Sequence, residues 1–423
     1  MITDTATVMN ASRRFADGPR GGSGLRLRLP SLLLVAGLLV VTVAMLRNSV
    51  AFVIRPVDPA LALRIDPDNA EIQASRAEQL LRLDPSANRR AGEELARKSL
   101  RGSPVLAAGA TMLATARDLA GDTSAARRLM DYSESVSRRD LPTQLWFVED
   151  AVRRNDIPRA LHHYDIALRS SVVAKPLLFP VLIQATAQPA VVDGLIDTLA
   201  ARPLWADSFL EQVSHDGPDL GGVGRLLVGV AGRGYRLPET VAALATARMV
   251  DAARYDLAWQ VHVASHPRAM RGAVRDPNFV RAGGDEGPFD WALVPTEGVV
   301  AEPRRYGTQD GLSYVVATGA GGVAARQLLL LPKGTYRLTG RAFAQLPGSA
   351  PAQFRVRCAG SGTAIATIVA PAKDAGFAGR IVIPAACPAQ WLELWLDGGE
   401  NPAGAAGAIG EVRVLPIAEA ARS

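Results

Sequence analysis

The sequence predicts a multidomain chain with one transmembrane helix, an α-solenoid and a C-terminal antiparallel β-sandwich. Three observations predict it. Residues 29–46 form an apolar run without a charge. A period of 34 residues links small side chains through the middle of the chain, as paired helices in a solenoid require. After Pro277 the texture changes to short alternating runs separated by Gly, Pro and Asp, the pattern of many short strands. This partitions the chain into a basic tail (1–28), a transmembrane helix (29–47), a helical domain (56–270) and a β-sandwich (277–418).

The composition bounds what such a chain can be. With 423 residues, 48% hydrophobic and 21% charged, it can bury two or three cores and is not disordered. Its two cysteines, Cys358 and Cys387, exclude a four-thiolate zinc site or a cysteine-bound iron-sulfur cluster within one chain. Five histidines restrict metal chemistry further.

The membrane segment reads LPSLLLVAGLLVVTVAML, just long enough for a bilayer of about 30 Å. Arg13, Arg14, Arg20, Arg26 and Arg28 precede it against Asp4 and Asp17, an excess that holds the N-terminus in the cytoplasm and exports the rest. Ser49-Val50-Ala51 offers the competing reading, a cleavable signal peptide. A third reading is the buried helix of a soluble protein. Export removes nucleic acid as a partner and lets the cysteines pair. An Arg- and Ala-rich, Lys-poor composition points to a high-GC bacterium, whose inner membrane and periplasm are then the expected location.

In the middle region Gly92, Ala126 and Ala160 stand 34 apart, as do Ala96, Met130 and Tyr164, and Ser99, Ser133 and Ala167. Gly121-Asp122 likewise precedes Asn155-Asp156 by 34. ALRIDPDNAEI (62–72) and NDIPRALHHYDIALRSS (155–171) resemble the boundary and second helix of a tetratricopeptide repeat. That resemblance implies a surface for protein partners, here components of a cell envelope. It covers about half of residues 60–270. Asp84-Pro85 reads as an insertion in the first unit. Beyond residue 172, Pro176, Pro180, Pro189, Pro203 and the Gly-rich stretch 217–234 suggest irregular helices, with one further unit in RYDLAWQVHVASHP. His162 and His163 are adjacent and cannot share a ligand. His262 and His266 have i, i+4 spacing but no third ligand nearby, so packing roles are expected.

Eight strands are expected after Pro277: LSYVVAT, ARQLLLLP, TYRLTGRAFAQL, AQFRVRCAG, GTAIATIVA, GRIVIPA, QWLELWLD and GEVRVLPI. The run DPNFVRAGGDEGPFDWAL with a Phe-x-Trp strand, then RQLLLLPKGTYRLTGRA and the closing GEVRV, resembles jelly-roll modules of the carbohydrate-binding and galactose-binding-like type. In QWLELWLD, alternation puts Trp391, Glu393 and Trp395 on one face and three leucines on the other. If the leucines face the core, the indoles and carboxylate form a candidate glycan platform. The alternative is that the tryptophans fill the core or pack on a neighbouring domain. Between Asp310 and Asp374 no acidic residue occurs. Arg337, Arg341, Arg355 and Arg357 fall in that stretch and suggest an Arg-lined sheet surface for an acidic polysaccharide or an acidic protein, or simply a solvated face. Cys358 and Cys387 flank strands that a disulfide would pin.

No catalytic constellation is recognisable. Residues 318–324 match G-x-G-x-x-A formally, but no helix follows and the required acidic residue cannot exist in an acid-free stretch. No Walker loop, G-x-S-x-G or H-E-x-x-H is present. Asp285, Glu286 and Asp290 lie in a Gly-rich loop where a structural calcium could sit, yet no cofactor or metal is expected. The expected role is a non-catalytic, membrane-anchored periplasmic binding or scaffold protein of exopolysaccharide or envelope-glycan assembly. The alternatives are a protein-only adaptor and an unrecognised glycan hydrolase or lyase.

Overall fold

The computed structural model describes residues 29–284 and 287–417. The chain divides into two units, Met1–Val136 and Ser137–Ser423. The first holds six helices among the described residues: α1 (Leu29–Ile54), α2 (Pro59–Ile65), α3 (Ala70–Leu83), α4 (Pro85–Gly102), α5 (Ala107–Asp118) and α6 (Thr123–Val136). The helix α1 contains a 23-residue stretch, Leu32–Ile54, of mean hydropathy 2.0, which is long and apolar enough to cross a membrane. It runs past Arg47, where the sequence reading had ended it. The extra turns are held by packing: Ala51 is fully buried against Ala62 and Ile72, and the Arg47 guanidinium reaches Asp66 at 3.0 Å.

Helices α2, α3 and α4 each start where a short polar side chain satisfies their first amides. Asp58 accepts from the backbone of Ala60 and Leu61, Asn69 from Glu71 and Ile72, and Asp84 from Ser86 and Ala87. Asp84-Pro85 is therefore the turn of an antiparallel α3–α4 hairpin rather than an insertion. Pro85 costs nothing at the first helical position, where no amide partner exists. The 34-residue period has a physical counterpart. Gly92, Ala96, Ala126, Met130, Ser99 and Ser133 are all buried where hairpin partners approach. The Ser99 and Ser133 hydroxyls donate to the carbonyls of Ala70 and Ala107, the first residues of the paired helices.

The second unit continues with α7 (Leu141–Arg153), α8 (Ile157–Ser170), α9 (Ala174–Ala185), α10 (Pro189–Ala200), α11 (Ala206–Asp216), α12 (Leu220–Gly232), α13 (Glu239–Asp251) and α14 (Tyr255–Ser265). Gly121 (φ 83°) and Asn155 (φ 56°) are the corresponding left-handed residues that end α5 and α7. Beyond residue 172 the chain continues as defined helices, of which α9 carries Pro180 in its interior, and the Gly-rich stretch, contrary to the sequence expectation, is itself a helix. Its glycines permit close approach. A Cβ at Gly222 would stand 2.0 Å from the Thr186 carbonyl, one at Gly229 2.3 Å from Ile196, and one at Gly224 2.5 Å from Leu257.

The sandwich follows: β1 (Ala292–Leu293), β2 (Val299–Tyr306), β3 (Gln309–Val316), β4 (Gly321–Leu329), β5 (Gly334–Phe343), β6 (Gln353–Cys358), β7 (Ala364–Val369), β8 (Ala375–Ile383), β9 (Gln390–Asp397) and β10 (Ala405–Pro416). Two five-stranded sheets, β1-β4-β9-β6-β7 and β2-β3-β10-β5-β8, are antiparallel at every pairing. Sequence reading missed β1, which is two residues long, and β2, an edge strand that carries Pro303 where a missing amide is tolerated. It also placed Phe289 and Trp291 on one strand. They lie instead in a turn before β1 and face different cores. Trp291 stacks on Phe279 inside the sandwich, while Phe289 joins the helical cluster.

The four-leucine run after Gln327 shows why helices and sandwich form one unit. Leu329 and Leu331 enter the sandwich core, and Leu328 and Leu330 enter the helical core. An antiparallel strand is normally apolar on one face only; here both faces are buried, so alternation disappears.

Candidate functional site

The strand β9 alternates as QWLELWLD requires: Leu392, Leu394 and Leu396 are buried in the sandwich, and Trp391, Glu393 and Trp395 are half-buried on the outer face of the first sheet. Register then supplies neighbours that spacing alone does not reveal. Arg326 of β4 stands directly opposite Glu393 on one side, and Arg355 of β6 on the other. Trp391 faces Arg357 and Leu328, and Trp395 faces Gln353 and Val323.

The indole faces carry guanidiniums. The Arg355 guanidinium carbon lies 3.7 Å from the centre of a Trp395 ring, and Arg326 lies 4.7 Å over Trp391, the geometry of a cation–π contact. Arg355 is also tied to Gln353, whose Oε1 accepts from Nε at 3.2 Å and from a terminal nitrogen at 3.1 Å. Arg357 donates to the Gly362 carbonyl at 3.1 Å. Trp391 packs in addition against the helical cluster. The result is a compact row, Trp391–Glu393–Trp395, flanked by oriented guanidiniums, in place of two bare indole platforms. A guanidinium held flat on an aromatic ring keeps its N–H edge for a carboxylate or hydroxyl acceptor. Glu393, which makes no ion pair among the described residues, can accept hydroxyl hydrogens.

Arg337 and Arg341 lie elsewhere. Both are exposed on β5, in the second sheet. The single Arg-lined surface expected from the acid-free stretch is therefore two surfaces on opposite sides of the sandwich, because β5 and β6, adjacent in sequence, belong to different sheets. Cys358 and Cys387 are disulfide-bonded with a Cα separation of 5.5 Å. The bridge closes the end of the first sheet, where buried Gln390 donates to the Cys387 and Leu331 carbonyls and accepts from the Leu331 amide at 2.9 Å.

A second polar cluster lies where α14 meets the sandwich. Arg275 pairs with Asp290 at 3.2 Å and hydrogen-bonds the His262 ring. Its backbone amide and carbonyl both bind the fully buried Gln327 amide, at 3.0 and 3.1 Å. His266 stacks on His262 at 4.7 Å. A cavity of about 40 Å³ lies among Glu239, Thr246, His262, His266, Arg275 and Asp290. Burial first, then the neighbouring Arg275 and His266, pushes the His262 pKa down to about 3. Burial likewise lowers that of His266 and raises that of Asp290. The i, i+4 histidine pair thus packs in the joint between α14 and the sandwich, with His262 buried and stacked on His266. Asp285 and Glu286 lie outside the described residues, and Asp290 is engaged by Arg275. Among the described residues no group of three His, Cys, Asp or Glu is placed to hold a metal ion.

No family model matches the chain, and no curated protein matches it. Similar folds occur among solved structures. CBM4 shares 16% identity over 34% of this chain and 99% of its own, with a TM-score of 0.27. TmCBM61, solved with β-1,4-galactotriose, shares 13% over 35% of this chain and all of its own, at 0.26. PilW, a widely conserved type IV pilus biogenesis factor, shares 15% over 47% and 94%, at 0.25. These scores are too low to bear on the function of this chain.

Proposed function

We propose that this chain is a non-catalytic binding protein, anchored in a bacterial inner membrane with its bulk in the periplasm, that holds an envelope or exported glycan on the outer face of the first sheet. The observation that carries the reading is the Arg355–Trp395 stack beside Glu393. It combines an oriented donor fork, a flat apolar surface and a hydroxyl acceptor within three adjacent strand positions. That combination suits a carboxylate-bearing sugar better than a neutral one. Arg355 and Arg326 meet the acid while Glu393 meets ring hydroxyls. The helical layers then hold a protein partner of the same assembly. The anchor reading of α1 is supported by the basic flank and the apolar run, both long for a signal peptide.

The experiment is a calorimetric titration of the full-length protein in detergent with polyuronate and with neutral β-linked oligosaccharides. We expect polyuronate to bind, with affinity falling as salt screens contacts over about 8 Å, and Arg355→Ala and Trp395→Ala each to weaken it at least tenfold. Absence of binding to either class at low salt would leave the protein-only adaptor in its place. Release of shortened sugar chains would establish a hydrolase or lyase instead.

A further inference from the structure

We propose that the outer face of the second sheet docks on an anionic phospholipid bilayer. Four exposed guanidiniums share it: Arg337 and Arg341 of β5, Arg380 of β8 and Arg413 of β10. Register fixes their grouping. Arg337 stands directly opposite Arg380, and Thr339, between Arg337 and Arg341 on the same face, stands opposite Arg413. Like charges directly opposite on strands about 4.8 Å apart destabilise a sheet. The ion pair on this sheet is Arg305–Asp310, and among the described residues none of the four cations has an acidic partner. A face built against its own electrostatics is a face for an external anion.

The apolar side chains among the cations decide which anion. Leu415 lies directly opposite Arg337 and is 53% exposed. Val382, two positions beyond Arg380 on the same face of β8, is 55% exposed. An acidic polysaccharide would engage the guanidiniums and leave both aliphatics in water. A lipid surface takes both, with phosphates against the cations and the acyl boundary against Leu415 and Val382. A chain tethered through α1, which is long and apolar enough to span a bilayer, meets that surface at high effective concentration, so a few weak contacts suffice. The inference rests on the anchor reading and is independent of glycan binding on the first sheet.

The test places a nitroxide on Ala378→Cys, an exposed β8 position opposite Thr339. It is the sole reactive thiol, because Cys358 and Cys387 are paired. The full-length protein is reconstituted in phosphatidylcholine vesicles with or without phosphatidylglycerol, and collision with a water-borne paramagnetic reagent is measured. Collision should fall at least about fivefold in the anionic vesicles, the factor one surface-bound cation supplies. It should recover in Arg337→Gln/Arg380→Gln and at high salt. Equal collision in both vesicle types overturns the proposal. So does protection that appears in neutral vesicles on adding polyuronate, which would assign the face to an acidic polysaccharide. Flotation of the neutral vesicles after a carbonate wash reads the anchor separately. A chain that fails to float loses the anchor reading, while anionic vesicles added to it still report whether the Ala378 face docks.

Discussion

Acidification should weaken the joint between the helices and the sandwich, and His262 supplies a calculable part of the effect. Its ring is 3% exposed, stacked on His266 and close to Trp259 and Phe289, and it accepts no proton until about pH 3. In the unfolded chain the same imidazole titrates near 6.5. Between those values the unfolded state binds more protons than the folded one, so stability is full above about pH 6.5 and falls as pH drops toward 3. At about pH 4 the difference is roughly 3 kcal/mol from this residue alone. His266, also lowered, adds in the same direction, and Asp290, raised, opposes it. The comparison must therefore be made against His262→Gln, which keeps an acceptor for Arg275 and removes the titration. Urea unfolding followed by tryptophan fluorescence should show wild-type losing about 3 kcal/mol more than the variant between near-neutral pH and about pH 4. Parallel losses in the two proteins, or a His262 ring signal that titrates near its ordinary value, would refute the buried-neutral assignment.

Other consequences are more direct. Gly222→Ala forces a Cβ to 2.0 Å from the Thr186 carbonyl and should cost about 3 kcal/mol or more, read as a lowered Tm of the second unit. Gln327→Leu strips both backbone partners from Arg275. Leaving that half-buried amide and carbonyl without their partner should cost about 1 to 3 kcal/mol, with Gln327→Glu recovering only the amide contact. Reduction of Cys358–Cys387, which closes a loop of 29 residues' separation, should lower stability by about 3.6 kcal/mol on the chain-entropy model. Quantitative alkylation of both thiols in unreduced, denatured protein would show that the bridge is absent.

The parts of the fold that were legible in the sequence are those set by local periodicity. The 34-residue spacing marks buried contacts because each hairpin repeats one packing problem, and Ser99 and Ser133 solve it with the same hydroxyl-to-carbonyl bond. The three leucines of β9 are buried because strand alternation is strict. Where the reading failed, a long-range contact had overridden the local signal. Gly222, Gly224 and Gly229 are poor helix formers, yet α12 is a helix because neighbouring helices approach too closely for any Cβ. Phe289 and Trp291 read as one strand face, but a turn sends them to different cores.

The candidate site divides along the same line. Alternation placed Trp391, Glu393 and Trp395 together, since they share one strand. The partners that define their chemistry come from β4 and β6, and only pairing register makes Arg326 and Arg355 neighbours of Glu393. The absence of acids between Asp310 and Asp374 is visible in the sequence, but it spans strands of both sheets. One compositional feature therefore becomes two electrostatic surfaces of different character. On the first sheet, guanidiniums are stacked, hydrogen-bonded and interleaved with a carboxylate, which favours a ligand with fixed stereochemistry. On the second, they stand unpaired among exposed aliphatics, which favours a fluid charged surface. A single Arg→Gln substitution should accordingly be felt more strongly at Arg355, where an oriented contact is lost, than at Arg341, where one of four equivalent charges is removed.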